Sequence, residues 1–298
     1  MGDRVGFIGL GTMGRPFATN IVEAGFDLMV YDVRKEPLEE LGKLGATVGA
    51  SPKAVAEHAE VVHIAVPHEP EVEAVLGGDD GLLAGAKPGL LLIELTTIGV
   101  ADSERVAALC APKGLDYVRS PLLGTLDSAA SGRLTALMSG PEGAIDRAHP
   151  IMAELCQEQH YLGPTEEGRV AKLVANGMLA AGQVALSEAL ALGQKAGMPL
   201  DRLLEVILGS SSASPVIKGT VQKMRQRDFE PRLTVALLAK DLRLLNELAA
   251  ARCAPVPQAS ANLQLYEAAV NMGCAELDTS AVLLALERMM ALDDAAQS

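Results

Sequence analysis

Tryptophan is absent from the 298-residue chain, and phenylalanine and tyrosine number only four each, leaving few flat faces on which nucleic-acid bases could stack. Basic residues are also in short supply: 25 Lys and Arg stand against 38 Asp and Glu, for a net charge of −13. Such a protein repels a phosphate backbone, so nucleic acid is not an expected partner. The four cysteines (Cys110, Cys156, Cys253, Cys274) are scattered, with no Cys-x-x-Cys pair, so neither a disulfide framework nor a metal site is expected. That usage fits a reducing cytoplasm. His58, His63, His68, His149 and His160 show no metal or triad spacing, and structural or surface roles are expected, with the His68 loop the one closest to a ligand. Met1-Gly2-Asp3-Arg4 leads straight into Val5-Gly6-Phe7-Ile8-Gly9, too short an apolar stretch for a secretion signal. The most apolar run, Leu173 to Ser187, is uncharged but shorter than the roughly 20 residues a bilayer needs. It reads as a helix buried in protein, and no membrane partner is expected.

What is present is a chain 49% hydrophobic, long enough for two domains. Through about residue 160, short β-type runs (Val5–Ile8, Asp27–Tyr31, Val61–Val66, Leu90–Ile93, Leu115–Val118, Leu134–Ser139) alternate with helical stretches, the pattern of a mostly parallel sheet covered by helices. After Gly163-Pro164 the character changes. Residues from Arg169 to Lys195 are nearly all helix formers, closed by Gly197-Met198-Pro199, and further helices follow to the end. The expected fold is α/β: a dinucleotide-binding domain of the Rossmann type over residues 1–163, joined through a long central helix to an all-α domain over 164–298 that serves substrate binding and oligomerisation.

Gly9-Leu10-Gly11-Thr12-Met13-Gly14 matches Gly-x-Gly-x-x-Gly directly after a strand and at the opening of a helix, the context in which that motif binds a dinucleotide. Gly9 permits the tight turn, Gly11 lets backbone approach a pyrophosphate, and Gly14 lets helix and strand pack closely. The helix N-terminus supplies N–H groups and positive dipole, so an acidic protein can hold an anion with few lysines. Asp32, ending the second strand, stands where a carboxylate accepts the adenosine ribose hydroxyls, which favours NAD. Arg34 and Lys35 follow and leave NADP possible through its extra phosphate.

Gly168, Lys172 and Asn176 are spaced four apart and share one face of the central helix, among Val170, Ala171, Leu173, Val174 and Ala175. A lysine in an apolar site moves toward neutrality, as general acid/base chemistry requires. The alternative is a lysine that snorkels to water or pairs with Glu166 or Glu167.

Together these segments resemble the β-hydroxyacid dehydrogenase family, which includes 3-hydroxyisobutyrate dehydrogenase and tartronate semialdehyde reductase. Gly6 to Gly14, with Asn20 and Gly25, is similar to the family's N-terminal signature, Gly168-x-x-x-Lys172-x-x-x-Asn176 to its catalytic helix, and Lys240-Asp241-Leu242 to its third motif. The resemblance implies Lys172 as catalytic acid/base, Asn176 as substrate ligand and Lys240 near the cofactor. It places Val66-Pro67 and Thr96-Thr97 beside the nicotinamide, with Thr96 where serine is usual. It also implies a homodimer or homotetramer acting on a small 3-hydroxy acid or its semialdehyde. The substrate segment departs from the pattern: Asp-x-Pro-Val-Ser-Gly-Gly becomes Arg119-Ser120-Pro121-Leu122-Leu123-Gly124-Thr125. Leu123 offers no hydroxyl to a substrate carboxylate. The N–H groups of Gly124 and Thr125, the Thr125 side chain or Arg119 are the candidate replacements, and a less polar carbonyl or imine is the alternative substrate. A non-catalytic NAD-binding module is the rival from another class.

Overall fold

The computed structural model describes residues 4–292. The chain forms two compact units, one running through Lys172 and one beginning at Leu173.

The first unit is built on a nine-stranded sheet: β1 (Arg4–Ile8), β2 (Asp27–Tyr31), β3 (Thr47–Val48), β4 (Val61–Ile64), β5 (Leu91–Glu94), β6 (Asp116–Arg119), β7 (Leu122–Leu123), β8 (Leu134–Ser139) and β9 (Cys156–Gly163). Their spatial order is β3-β2-β1-β4-β5-β6-β8-β7, with β9 on β8. The first six strands are parallel, while β8 runs antiparallel to β6 and β7 and parallel to β9. Burial on both faces accounts for the unbroken apolar runs: every residue of β4 and β5 is buried. One core cluster gathers Phe7, Phe17, Val30 and Ile93; the other gathers Ile8, Val62, Ile64 and Leu92. The sheet's order reverses between β1 and β4, and in such sheets the crevice at the carboxyl ends beside the reversal is where ligands bind.

The expected strands are all present, with β4 ending two residues early at Ile64 and β5 and β6 each shifted by one residue. Three strands go beyond the expectation. β3 and β7 are two-residue strands, and β9 is a mostly exposed edge strand whose sequence, Cys-Gln-Glu-Gln-His-Tyr-Leu-Gly, carries no apolar alternation. The helix Lys35–Lys43 is likewise new, since its stripe consists only of Pro37 and Leu41.

The second unit is helical. The long helix Glu167–Lys195 begins in the first unit and continues here, followed by Leu200–Gly209, Pro215–Gln226, Val235–Ala251, Pro257–Ala269 and Val282–Met289. Ser214 caps the helix at Pro215 by accepting from the Ile217 N–H, so the serine run before it is a helix-to-helix turn. Leu173, Ala180 and Val184 pack against Leu238, Leu242 and Tyr266. The long helix is apolar and long enough by composition to cross a membrane, and its buried side chains lie within these protein cores. It is not buried all round, contrary to expectation: Val174, Met178 and Leu192 are exposed.

Candidate active site

The residues singled out around the glycine motif converge on the carboxyl ends of β1, β2, β4 and β5. Gly9 sits at φ +96°, and a Cβ there would lie 2.2 Å from the Ala65 carbonyl oxygen at the end of β4. At Gly14 a Cβ would fall 1.9 Å from the Gly9 carbonyl oxygen, which closes the turn on itself. Gly11 differs, because a Cβ there meets nothing within 4 Å. The protein does not need its missing side chain; the open space is of the kind a ligand backbone fills. Gly14–Glu23 then starts with no side-chain cap and no acidic residue in its first turn, so its N–H groups and positive end suit an anion. Thr12 is exposed, and Leu10 is buried with Met13 partly so.

Asp32 reaches across to this loop. Its Oδ2 accepts the Leu10 N–H at 2.7 Å, and its Oδ1 accepts the Arg34 N–H at 2.8 Å. Burial works to raise its pKa, but hydrogen bonds from the Arg34 side chain and from the Arg34 and Leu10 N–H groups, with the Arg34 charge, hold it below the usual carboxylate range. The Arg34 guanidinium is folded onto Asp32 and also donates to the Leu10 carbonyl at 3.0 Å.

At the next two strand ends, the Val66 N–H donates to Thr96 Oγ1 at 3.1 Å, tying the Val66-Pro67 turn to Thr96-Thr97. A serine at position 96 would supply the same oxygen. Pro67 and His68 are exposed, and His68 starts the helix Glu69–Leu76 without capping it through its side chain.

Lys172 lies partly buried on the second turn of the long helix, and its Nζ donates to the Leu122 carbonyl oxygen at 2.7 Å. That bond places the ammonium on the segment running through Leu123, Gly124 and Thr125. Gly168, one turn earlier, is needed for packing: a Cβ there would lie 2.2 Å from the Leu137 carbonyl oxygen, and its N–H donates to Ser139 Oγ. Two of the replacements considered for the missing serine are already engaged. Thr125 Oγ1 caps the helix Leu126–Ala130, and Arg119 is buried with its Nε on Glu166 at 2.7 Å. Glu166, six residues before Lys172, faces both Arg119 and Arg169.

Within the second unit, Asn176 and Lys240 meet through Asp241, a residue whose role the sequence did not signal beyond its place in the motif. Asn176 Nδ2 donates to Asp241 Oδ2 at 2.6 Å, and Lys240 Nζ lies 3.2 Å from Asp241 Oδ1. Sequence reasoning also missed Glu94 and Arg169, both fully buried. The signal available for them was a charge ending the run Leu-Leu-Leu-Ile-Glu and another on the helix's inner face.

Comparisons with known proteins bear on the family and the fold. Residues 4–163 match the NAD binding domain of 6-phosphogluconate dehydrogenase, and residues 167–286 match the NAD-binding region of NADP-dependent 3-hydroxyisobutyrate dehydrogenase. The NAD-dependent L-serine dehydrogenase of Pseudomonas aeruginosa is 33% identical over 94% of this chain and 96% of its own. The structure of Mycobacterium tuberculosis 3-hydroxyisobutyrate dehydrogenase with L-serine superposes with a TM-score of 0.88 at 29% identity, covering 96% of this chain and 99% of that one. An imine reductase from Myxococcus stipitatus shares the fold at a TM-score of 0.67 and 19% identity, covering 96% of this chain and 100% of its own.

Proposed function

Because the chain belongs to the β-hydroxyacid dehydrogenase family, we propose that it oxidises the hydroxyl of a small 3-hydroxy acid, or reduces the matching semialdehyde, with Lys172 as general base and acid. The observation that carries this reading is the Lys172 ammonium held 2.7 Å from the Leu122 carbonyl, on the segment where the family binds substrate.

NAD, when bound, supplies the hydride acceptor or donor. The open space at Gly11, the uncapped helix start and the ionised Asp32 suit that cofactor. Gly9, Leu10, Gly11, Thr12, Met13 and Gly14 would hold its pyrophosphate, Asp32 its adenosine ribose, and Val66, Pro67, Thr97 and Lys240 its nicotinamide end. Asp32 engages Arg34, which favours NAD over NADP. In the oxidising direction, neutral Lys172 accepts the substrate hydroxyl proton as the C–H hydride leaves, ending as an ammonium; in reduction the ammonium returns that proton. With Thr125 Oγ1 and Arg119 engaged, the backbone N–H groups of Gly124 and Thr125 are the proposed donors to the substrate carboxylate, with Asn176 as a further ligand and Leu123 as an apolar wall.

The domains we assign are residues 1–163 for the cofactor and 164–298 for substrate and oligomerisation. We place the protein in the cytoplasm as a homodimer or homotetramer, without nucleic-acid or membrane partners. The exposed Val174, Met178 and Leu192 support assembly, and the net charge of −13 argues against polyanions.

The test is initial rates of NADH formation with L-serine, 3-hydroxyisobutyrate and D-glycerate, with wild type and Lys172→Ala side by side. Lysine-dependent turnover of one of these acids is expected. Saturable NADH binding without turnover on any of them would replace this reading with a less polar carbonyl or imine substrate, or with a non-catalytic NAD-binding module.

A further inference from the structure

Four charged side chains alternate in sign inside the first unit: Glu94 ending β5, Arg169 on the first turn of the long helix, Glu166 just before that helix, and Arg119 ending β6. Glu94 and Arg169 are fully buried, and Glu166 and Arg119 are each 7% exposed. Arg169 Nη2 donates to Glu94 Oε2 at 2.5 Å, and its Nη1 donates to the Thr96 carbonyl oxygen at 2.8 Å. Its Nε lies 3.6 Å from Glu166 Oε2. Glu94 also accepts the Thr96 N–H through Oε1. Thr96 is thus gripped at its N–H by Glu94 and at its carbonyl by Arg169, while its hydroxyl holds the Val66 N–H.

Stability alone does not account for this arrangement. Removing each ion from water costs several kcal/mol, and packed apolar side chains commonly serve a core equally well. What a guanidinium adds is direction: a planar fork reaches a carboxylate and a carbonyl at fixed angles, which an ammonium cannot do. Arg169, on the first turn of the long helix, lies three residues before Lys172 on the second, a spacing that makes the two neighbours along the helix. Its positive charge is held firmly, because the neighbouring Glu94, Tyr117 and Glu166 outweigh the burial that would lower its pKa.

We propose that Arg169 is a positioning residue, which locks the Lys172 turn to the Thr96 backbone through Glu94 and so fixes where the lysine presents its amine. The proposal rests on the reading of Lys172 as acid/base. Arg119 and Glu166 extend the lock: Glu166 faces Arg169, and Arg119 lies over the Tyr117 ring at 4.4 Å.

The test compares wild type, Arg169→Lys and Glu166→Gln by NADH affinity, by kcat and KM, and by the pH profile of Lys172 acetylation with acetic anhydride. Peptide mass spectrometry reads the label, with Lys240 as internal reference. For Arg169→Lys we expect kcat to fall on the order of 10²-fold, as a misplaced reacting group does. NADH affinity and substrate KM stay within about threefold, and the Lys172 labelling profile moves along the pH axis while that of Lys240 does not. Glu166→Gln, which keeps the Arg169 fork intact, loses less than about tenfold in kcat and shifts the labelling less. An unchanged kcat and labelling profile in Arg169→Lys overturns the proposal, as does a loss that only follows the folded fraction. If Arg169→Lys does not fold, an unshifted Lys172 profile in Glu166→Gln overturns it. Failure of the underlying reading shows separately, as equal turnover by wild type and Lys172→Ala; the labelling profile still reports whether Arg169 sets the amine.

Discussion

The two units each bury a polar network, and the two networks differ in kind. In the first unit it is ionic: Glu94, Arg169, Glu166 and Arg119 alternate in charge around the start of the helix that carries Lys172. The second unit also buries charge, at Asp241 beside Lys240 and at Asp278 beside Lys223, but its network around Gln183 is made of neutral groups: Tyr266 donates to Gln183 Oε1 at 2.7 Å, and Gln183 Nε2 donates to Thr279 Oγ1 at 3.0 Å. A neutral network pins helices at a modest desolvation cost, since every partner is an amide or a hydroxyl. The ionic one costs more for the same pinning. Its place three residues before Lys172 and around the Thr96 backbone supports the proposal that it adds directional control over the lysine.

Breaking the networks separates them. Glu94→Leu leaves the buried Arg169 charge only Glu166 at 3.6 Å as its counter-charge and should lower stability by about 3–5 kcal/mol in urea unfolding. Glu94→Leu/Arg169→Leu should recover much of that stability without recovering turnover, because the poorly paired charge is gone and the fork is gone with it. A recovery of turnover in the double variant would erase the distinction drawn between the units.

Acid should sharpen the contrast, because all five histidines precede Lys172 in the chain. His63 is fully buried in β4, its ring stacked on Phe7 with centroids 5.6 Å apart, and burial pushes its pKa down to about 4. Above pH 6.5 both folded and unfolded forms are neutral, and its contribution is fully present. Between pH 6.5 and about 4 the unfolded chain takes up a proton that the folded chain refuses, so stability falls with pH, by about 3 kcal/mol in all. His63→Leu should flatten that window in urea midpoints measured against pH, and an unchanged slope would remove His63 as its source.

Gln183→Leu leaves the Tyr266 hydroxyl only its longer bond, 3.2 Å to the Thr279 carbonyl oxygen, and should cost about 1–3 kcal/mol, with turnover per folded molecule unchanged. Smallest in stability, and most specific, is Gly11→Ala. Its Cβ meets no protein atom within 4 Å, so stability should hold within about 0.5 kcal/mol while NADH binding weakens at least about tenfold. Gly14→Ala, with its Cβ 1.9 Å from a carbonyl oxygen, should lose both.

Much of this was legible in the sequence, because the informative features are local. The glycine turn with Asp32 lies within one βαβ unit, and the Gly168-Lys172-Asn176 spacing within one helix, where residue type and period specify geometry. The strands of the parallel sheet stood out as apolar runs because they are buried on both faces. β9 did not, since an exposed edge strand needs no apolar residues, and the ionic network did not, since Glu94 and Arg169 are 75 residues apart and Arg119 and Glu166 are 47. No periodicity connects partners at such separations. The departure at Arg119, where the family carries an acid, is explained only when Glu166 is seen beside it. Leu123 in place of serine has no compensating side chain among Thr125 and Arg119, both of which are engaged elsewhere.

Whether the Lys172 amine moves the substrate proton is read by single-turnover NADH formation in Lys172→Ala, with and without added methylamine, on the best substrate of wild type. We expect a rate lower by about 10²–10⁴-fold that rises in proportion to the free base of the amine. A wild-type rate in Lys172→Ala, indifferent to amine, would contradict that role for Lys172.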